Sequence, residues 1–275
     1  MRVSCIVPIT DPDDPRIAAY RHVRERDLVG RRGEFIAEGE VVLRVLLGGG
    51  AHRTASLLIA EKRLGGLESL LETLPADTPV FTAGQTVMDA IAGFPIHRGV
   101  LAHGLRTPEP SVAALLQSLR ADALVLALFG IANHDNLGGL FRNAAAFGVD
   151  AVLLDAACCD PLYRKCIRVS VGAALTVPFA RVEIGEDPVT LLERAGFTVL
   201  ALSPGGAEPL TGLVRPRRVA LLAGSEGPGL AAEVLGRVRS VAVPMAAGWD
   251  SLNVATAVAI VLHHLTEAGR GSLAI

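Results

Sequence analysis

Three segments of the chain place polar or glycine-rich residues directly after an apolar run. The first is Asn133–Arg142, NHDNLGGLFR. Asn136 offers an amide that both accepts and donates hydrogen bonds. Arg142, six residues on, carries a guanidinium suited to gripping a phosphate or stabilising a developing oxyanion. The second is Gly224–Gly229, GSEGPG, which supplies bare backbone amides and one carboxylate, Glu226. It is not the dinucleotide fingerprint, which needs Gly-x-Gly-x-x-Gly opening a helix. Nor is it a nucleophile elbow, because Ala223 stands where that motif needs glycine. The third is Val243–Val254, VPMAAGWDSLNV, an apolar loop meeting Ser251, Leu252 and Asn253 at a helix start. Each segment also has a plainer reading. Asn136, Ser251 and Asn253 would serve as helix caps, Arg142 as a solvated cation, and the glycines as an ordinary turn.

Other constellations carry less chemistry. Cys158, Cys159 and Cys166 lack paired Cys-x-x-Cys spacing, so no zinc site is expected. His263 and His264 do not form His-Glu-x-x-His, and His134 reads as a loop histidine. Arg164, Lys165 and Arg168, and Arg215, Arg217 and Arg218, are local basic clusters. Arg16, Arg21, Arg24, Arg26, Arg31 and Arg32 face only Glu25 and Asp27 in the same stretch. Arg16, Arg21 and Arg24 are therefore candidate phosphate contacts. Lysine occurs only at Lys62 and Lys165, so nearly all positive charge is guanidinium.

The elements that must position these loops follow from periodicity. From Ala123 onward, apolar β runs alternate with helical patterns, which predicts a parallel sheet with crossover helices. Strands are expected at Leu124–Phe129, Ala151–Leu154, Thr176–Val182, Thr198–Leu202, Val219–Ala223 and Val241–Val243. Helices are expected over about Asn136–Phe147, Pro161–Ala174, Pro188–Ala195 and Ser251–Glu267, the last with Ser251 as N-cap. All three chemical loops then lie at carboxyl ends of strands, where open α/β sheets bind ligands. The N-terminal half predicts a smaller α/β unit. It has a helix around Asp14–Arg26, a strand, a turn at Gly39 and a helix over Glu34–Leu47, and strands at Leu57–Ala60 and Val80–Thr82. The polar, proline-rich RTPEPS at Arg106–Ser111 suits a linker. The expected division is 1–105, a linker at 106–120, and 121–275.

With 275 residues, 51% hydrophobic and 20% charged, the chain is neither disordered nor collagen-like. A net charge of −2 announces no overall basic field, and 4% aromatics argue against base-stacking platforms. Four cysteines fit a reducing compartment rather than a disulfide scaffold. The apolar run Val3–Ile9 is broken by Pro8 and followed by Asp11, Asp13 and Asp14, unlike a signal peptide. Ala123–Ala132 is too short to span a bilayer. A cytoplasmic protein with no membrane partner is expected.

Together, NLGGLFRNAAAFG, GSEGPG and VPMAAGWDSLNVATAVAI resemble, in order and spacing, the three motifs of the SPOUT-class RNA methyltransferases of the SpoU/TrmH group. EFIAEGEVVLRVLL followed by LLIA resembles the L30e-like RNA-binding domain that often precedes that catalytic domain. The resemblance implies a C-terminal trefoil-knotted α/β domain, a feature that periodicity does not reveal. It implies S-adenosylmethionine as cofactor, a ribose 2′-hydroxyl in rRNA or tRNA as acceptor, and a homodimer whose active site borrows residues from both subunits. It places cofactor contacts on the main chain at Leu202, Gly224, Val243, Met245, Leu252 and Ala255, the last standing where serine is common. Arg142 matches the family's essential arginine, and Asn136, Glu226, Ser251 and Asn253 complete the catalytic set.

The resemblance leaves open Arg142 as general base toward the ribose hydroxyl, which would require burial or the cationic sulfonium to depress its pKa strongly. A protonated arginine is a poor base, so Arg142 is expected instead to grip the substrate phosphate and stabilise the developing alkoxide. No metal is needed, because a sulfonium is already activated. Two other classes compete. One is a non-catalytic RNA-binding or ribosome-associated protein that retains the fold. The other is a Rossmann-type oxidoreductase, disfavoured by the missing fingerprint.

Overall fold

The computed structural model describes residues 6–21, 25–49, 51–92, 99–249 and 251–269. The chain forms two compact units. One comprises the residues up to 108 together with 160–176, and the other comprises 109–159 and the residues from 177 onward.

The first unit contains β1 (Ile6–Ile9), α1 (Glu25–Arg32), β2 (Glu34–Glu38), α2 (Glu40–Leu47), β3 (Arg53–Ala60), α3 (Glu68–Leu71), β4 (Val80–Ala83), α4 (Gln85–Ala92) and β5 (Val100–Leu105). Its sheet runs in the order β1-β4-β3-β5-β2. β1, β4 and β3 are parallel, while β5 is antiparallel to β3 and β2. The β2–α2 turn relies on Gly39, whose φ of 99° an L side chain rarely adopts. Phe35 on β2 is fully buried because its ring lies over Gly104, where a Cβ would approach it to 2.2 Å. The helix expected over Asp14–Arg26 is broken. Pro15 starts a short 3₁₀ turn, Pro15–Tyr20, capped by Asp14, and α1 begins separately at Glu25.

The second unit contains α5 (Val112–Ser118), β6 (Leu124–Phe129), α6 (His134–Ala146) and β7 (Ala151–Leu154). The chain then passes into the first unit, forms α7 (Arg164–Val169), and returns. It continues through β8 (Phe179–Arg181), α8 (Pro188–Arg194), β9 (Thr198–Leu202), β10 (Glu208–Pro209), β11 (Val219–Gly224), α9 (Ala232–Leu235), β12 (Arg239–Ala242) and α10 (Val254–Gly269). The sheet order is β10-β12-β9-β11-β6-β7-β8, and every pairing is parallel. Consequently all strands of this sheet end on one edge. Leu124–Leu128 of β6 and Val219–Ala223 of β11 are buried, as expected for central parallel strands covered on both faces. On α6, Leu137, Leu140, Phe141 and Ala144 form the buried stripe. Burying a side chain of the Leu140 or Phe141 type contributes about 2 kcal/mol.

Two further stretches depart from the sequence expectation. Residues 160–176 do not form one helix. α7 is six residues long, and the chain turns at Gly172 (φ 87°) into a 3₁₀ turn at Ala173–Leu175. This excursion is fastened within its unit by Arg164–Glu38 at 3.0 Å and Arg106–Asp160 at 2.8 Å. Gly172 also packs so closely that a Cβ would stand 3.0 Å from Val45. The stretch expected as a linker, 106–120, is built structure. Arg106 donates its backbone N–H to Gly33, and Ser111 caps α5, whose Val112, Leu115 and Leu116 are buried.

Candidate functional site

The parallel sheet of the second unit brings the three sequence segments to one edge. β9, β11 and β12 end in the loops that wall an apolar cavity. Its lining includes Leu202, Ser203, Pro204, Gly224, Ser225, Glu226, Gly227, Val243, Met245, Ser251, Leu252 and Val254. Five of the six expected cofactor contacts, Leu202, Gly224, Val243, Met245 and Leu252, are in this wall. The sixth, Ala255, is turned instead toward α6. Its N–H is accepted by Asn253 Oδ1 at 3.0 Å, and its carbonyl accepts from Asn143 Nδ2 at 2.7 Å.

Local backbone rules shape the wall. Gly224 ends β11 where the following loop folds back on itself, with Ser225 and Gly229 bridged. A Cβ on Gly224 would lie 2.3 Å from the Gly229 carbonyl carbon and 2.5 Å from Leu230 N. Only glycine fits against that backbone. Behind the β6–α6 loop, Asp155 accepts from Gly130 N at 3.0 Å and from Cys158 N at 2.9 Å, tying two strand-end loops together. Burial, reinforced by the Asp155 charge, pushes the Cys158 thiol up to about 12. It therefore stays a neutral donor to the Leu128 carbonyl, at 3.4 Å.

Beside Glu226 of the cavity wall, one side chain joins all three segments. Asn253 donates Nδ2 to Asn136 Oδ1 and to Glu226 Oε1, both at 2.8 Å. Its Oδ1 accepts from Ala255 N and Thr256 N, capping α10. The amide orientation follows from chemistry, since the carboxylate only accepts and the backbone amides only donate. Asn253, not Ser251, is thus the α10 cap, and α10 begins at Val254 rather than Ser251. Likewise α6 is capped by Asn133, whose Oδ1 accepts from Asp135 N at 2.8 Å. That leaves Asn136 free for the cluster. Because Oδ1 of Asn136 is taken by Asn253, its Nδ2 is the group available to a ligand acceptor.

Arg142 is exposed and makes no hydrogen bond or ion pair with a described residue. On a regular helix, six residues carry it about 9 Å along and roughly 120° round from Asn136. The cluster therefore comprises Asn136, Glu226 and Asn253, with Ser251 in the wall beside it.

Other candidates resolve differently. Arg16 is held by Asp14 at 2.6 Å and Arg21 by Asp13 at 2.7 Å. The Arg16 guanidinium holds the Asp14 carboxyl well down, at about 2. Both arginines already have anionic partners that the sequence pattern did not weigh. Arg24 lies outside the described residues. Arg215 donates to the Asp122 carbonyl, and Arg218 to the Leu116 carbonyl while stacking 4.4 Å over Phe197. These arginines serve the strand starts, not the site edge. Asn143 escaped the sequence reading. Only its position one turn beyond Gly139 on α6, on the same helix face, hinted at it.

Among the described residues, no helix is long and apolar enough to cross a membrane, and no group of three or more His, Cys, Asp or Glu is placed to hold a metal. Residues 123–263 match the family model described as the SpoU rRNA Methylase family. An uncharacterized tRNA/rRNA methyltransferase of Mycobacterium bovis is 41% identical over 273 residues, covering 95% of this chain and 92% of that protein. The AdoMet-bound rRNA methyltransferase from Sinorhizobium meliloti superposes with a TM-score of 0.80 at 23% identity, covering 98% of this chain and 99% of that one. An RNA 2′-O ribose methyltransferase superposes with a TM-score of 0.78 at 23% identity, covering 96% and 100%. The shared fold, the family model that spans all three site loops and the close relative agree: this chain belongs to the SpoU family of RNA methyltransferases.

Proposed function

We propose that this chain is an S-adenosylmethionine-dependent enzyme that methylates a ribose 2′-hydroxyl in structured RNA, either rRNA or tRNA. The observation that carries the reading is the Asn253 amide. It bridges Asn136 to Glu226, which lines the glycine-walled apolar cavity. When bound, S-adenosylmethionine supplies a methyl group on a sulfonium. The residues present fit such a group. Leu202, Val243, Met245 and Leu252 offer apolar walls to a flat base, and the close-packed Gly224 loop offers backbone groups. Ser251 and Ser203 offer hydroxyls to the polar portions. Glu226 places one carboxylate beside a cationic donor.

Asn136 then directs its Nδ2 toward a ribose or phosphate oxygen, orienting the hydroxyl for in-line attack. Arg142 grips the phosphate and stabilises the developing negative charge. Arg142 lies away from the cluster along α6 and has no described partner. In our reading the protein works as a homodimer in which the partner subunit's Arg142 completes each site. The first unit is read as the L30e-like RNA-binding domain and the second as the trefoil-knotted catalytic domain, acting in the cytoplasm. The solved RNA 2′-O ribose methyltransferase of like fold is consistent with this acceptor.

The test is to incubate the purified protein with methyl-labelled S-adenosylmethionine and separately with total rRNA and tRNA, then digest to nucleosides for mass spectrometry. Label in one 2′-O-methyl nucleoside is expected. Label on a base would overturn the ribose assignment. No transfer to either RNA would favour a non-catalytic RNA-binding protein.

A further inference from the structure

The contact between α6 and α10 has one feature that the catalytic set does not use. On α6, Gly139 and Asn143 are four residues apart and so share a face. Both meet Ala255, in the first turn of α10. A Cβ on Gly139 would stand 3.1 Å from the Ala255 Cβ, so glycine brings the helices together there. Asn143 Nδ2 donates to the Ala255 carbonyl at 2.7 Å, and a carbonyl can only accept, which settles the amide orientation. Ala255 follows Val254 directly, and Val254, Leu252 and Ser251 line the cavity. The Ala255 N–H is bound by the Asn253 side chain.

We infer that Asn143 is a positioning residue. It holds the first turn of α10, and with it the Ser251–Val254 wall, at the spacing that the cofactor cavity needs. Asn136–Asn253 fastens this segment to α6 at one point, and Asn143–Ala255 fastens it at a second, about two turns further along. With both in place the wall cannot pivot about the Asn253 contact. The inference rests on the proposed cofactor assignment but names a residue outside the catalytic set.

The experiment compares wild type with Asn143→Ala and Asn143→Asp, using calorimetric titration with S-adenosylmethionine and steady-state kinetics. Asn143→Ala removes one neutral hydrogen bond and should raise the cofactor Kd and KM roughly fivefold. Asn143→Asp keeps the shape but sets an acceptor against a carbonyl, so its loss should be larger. In both variants kcat and the KM for RNA should stay within about twofold of wild type. A merely structural role would lower the active fraction, and hence kcat, without moving the cofactor Kd. That pattern, or a wild-type Kd in both variants, would overturn the inference. Wild type failing to bind S-adenosylmethionine would instead refute the proposed function.

Discussion

Replacing Asn253 with aspartate separates the two jobs of that side chain. The substitution keeps an oxygen for the amides of Ala255 and Thr256, and aspartate is as good an N-cap as asparagine, favoured further by the helix dipole. It removes the donor that reaches Asn136 and Glu226 and sets a second carboxylate 2.8 Å from Glu226 Oε1. Losing the hydrogen bond to the charged Glu226 costs about 1.5 kcal/mol, while Asn136 can turn its amide and donate to the new carboxylate, so that its bond is exchanged rather than lost. Like charges at that separation repel by about 1.5 kcal/mol in a water-like dielectric, the proper choice because both groups are exposed. The total, near 3 kcal/mol, corresponds to roughly a hundredfold loss in kcat/KM. Both side chains are exposed and can swing apart into solvent, so the protein relieves the repulsion by opening the cluster: thermal stability should stay within about 1 kcal/mol of wild type, while the closed arrangement that catalysis needs carries the full penalty. Asn253→Ala, by contrast, loses the cap as well and should be less stable by about 1 kcal/mol. The assay is methyl transfer to RNA at several salt concentrations, alongside thermal denaturation. Salt screens exposed charges, so part of the Asn253→Asp defect should recover between about 50 and 500 mM. Full activity in Asn253→Asp at low salt, or equal instability in both variants, would refute the cluster as the organiser of the site.

Further predictions follow from other contacts. Gly224→Ala forces backbone at Gly229 and Leu230 to move and should weaken S-adenosylmethionine binding by at least a hundredfold, measured by calorimetry; near-wild-type affinity would show that the cavity is not the cofactor site. Arg142→Ala should abolish turnover while leaving cofactor Kd within about twofold. Mixing it with inactive Glu226→Ala should restore part of the activity if sites are shared between subunits, and a mixture that stays dead would argue for sites within one chain. Arg164→Met strands the buried Glu38 carboxylate, which is 5% exposed, at a cost on the order of 3 kcal/mol. A fall of about 6–12 °C in the melting temperature is expected, and no change would show that the pair is not stabilising.

Much of the second unit was legible from local pattern. β6, β7 and β9 match their predicted spans because parallel strands covered on both faces must be uninterrupted apolar runs. α8 follows Asp187-Pro188, where the Asp187 carboxylate accepts from Val189 N and Pro188 needs no partner for a missing N–H. The turn at Gly39 was readable for the same kind of reason, a backbone angle that only glycine adopts cheaply. The arginines were misleading because a pattern of like charges says nothing about carboxylates nearby in space. Arg16 and Arg21 are occupied by Asp14 and Asp13, and Arg218 is spent on a backbone carbonyl 102 residues away.

The one-dimensional chain determined which residue types are present, where the apolar runs lie, and that three polar loops follow three strands. Those are short-range properties, set by backbone dihedrals and side-chain periodicity over a few residues. Only the tertiary structure decided that Asn253 rather than Ser251 caps α10, that the same amide reaches Asn136 across 117 residues and Glu226 across 27, and that Ala255 serves α6 instead of the cavity. The same holds for residues 160–176, which leave their sequence neighbours for the other unit. The reason is common to all of them. A hydrogen-bonding group has several chemically equivalent partners along the chain, and only the packing of the strands and helices selects the one within reach.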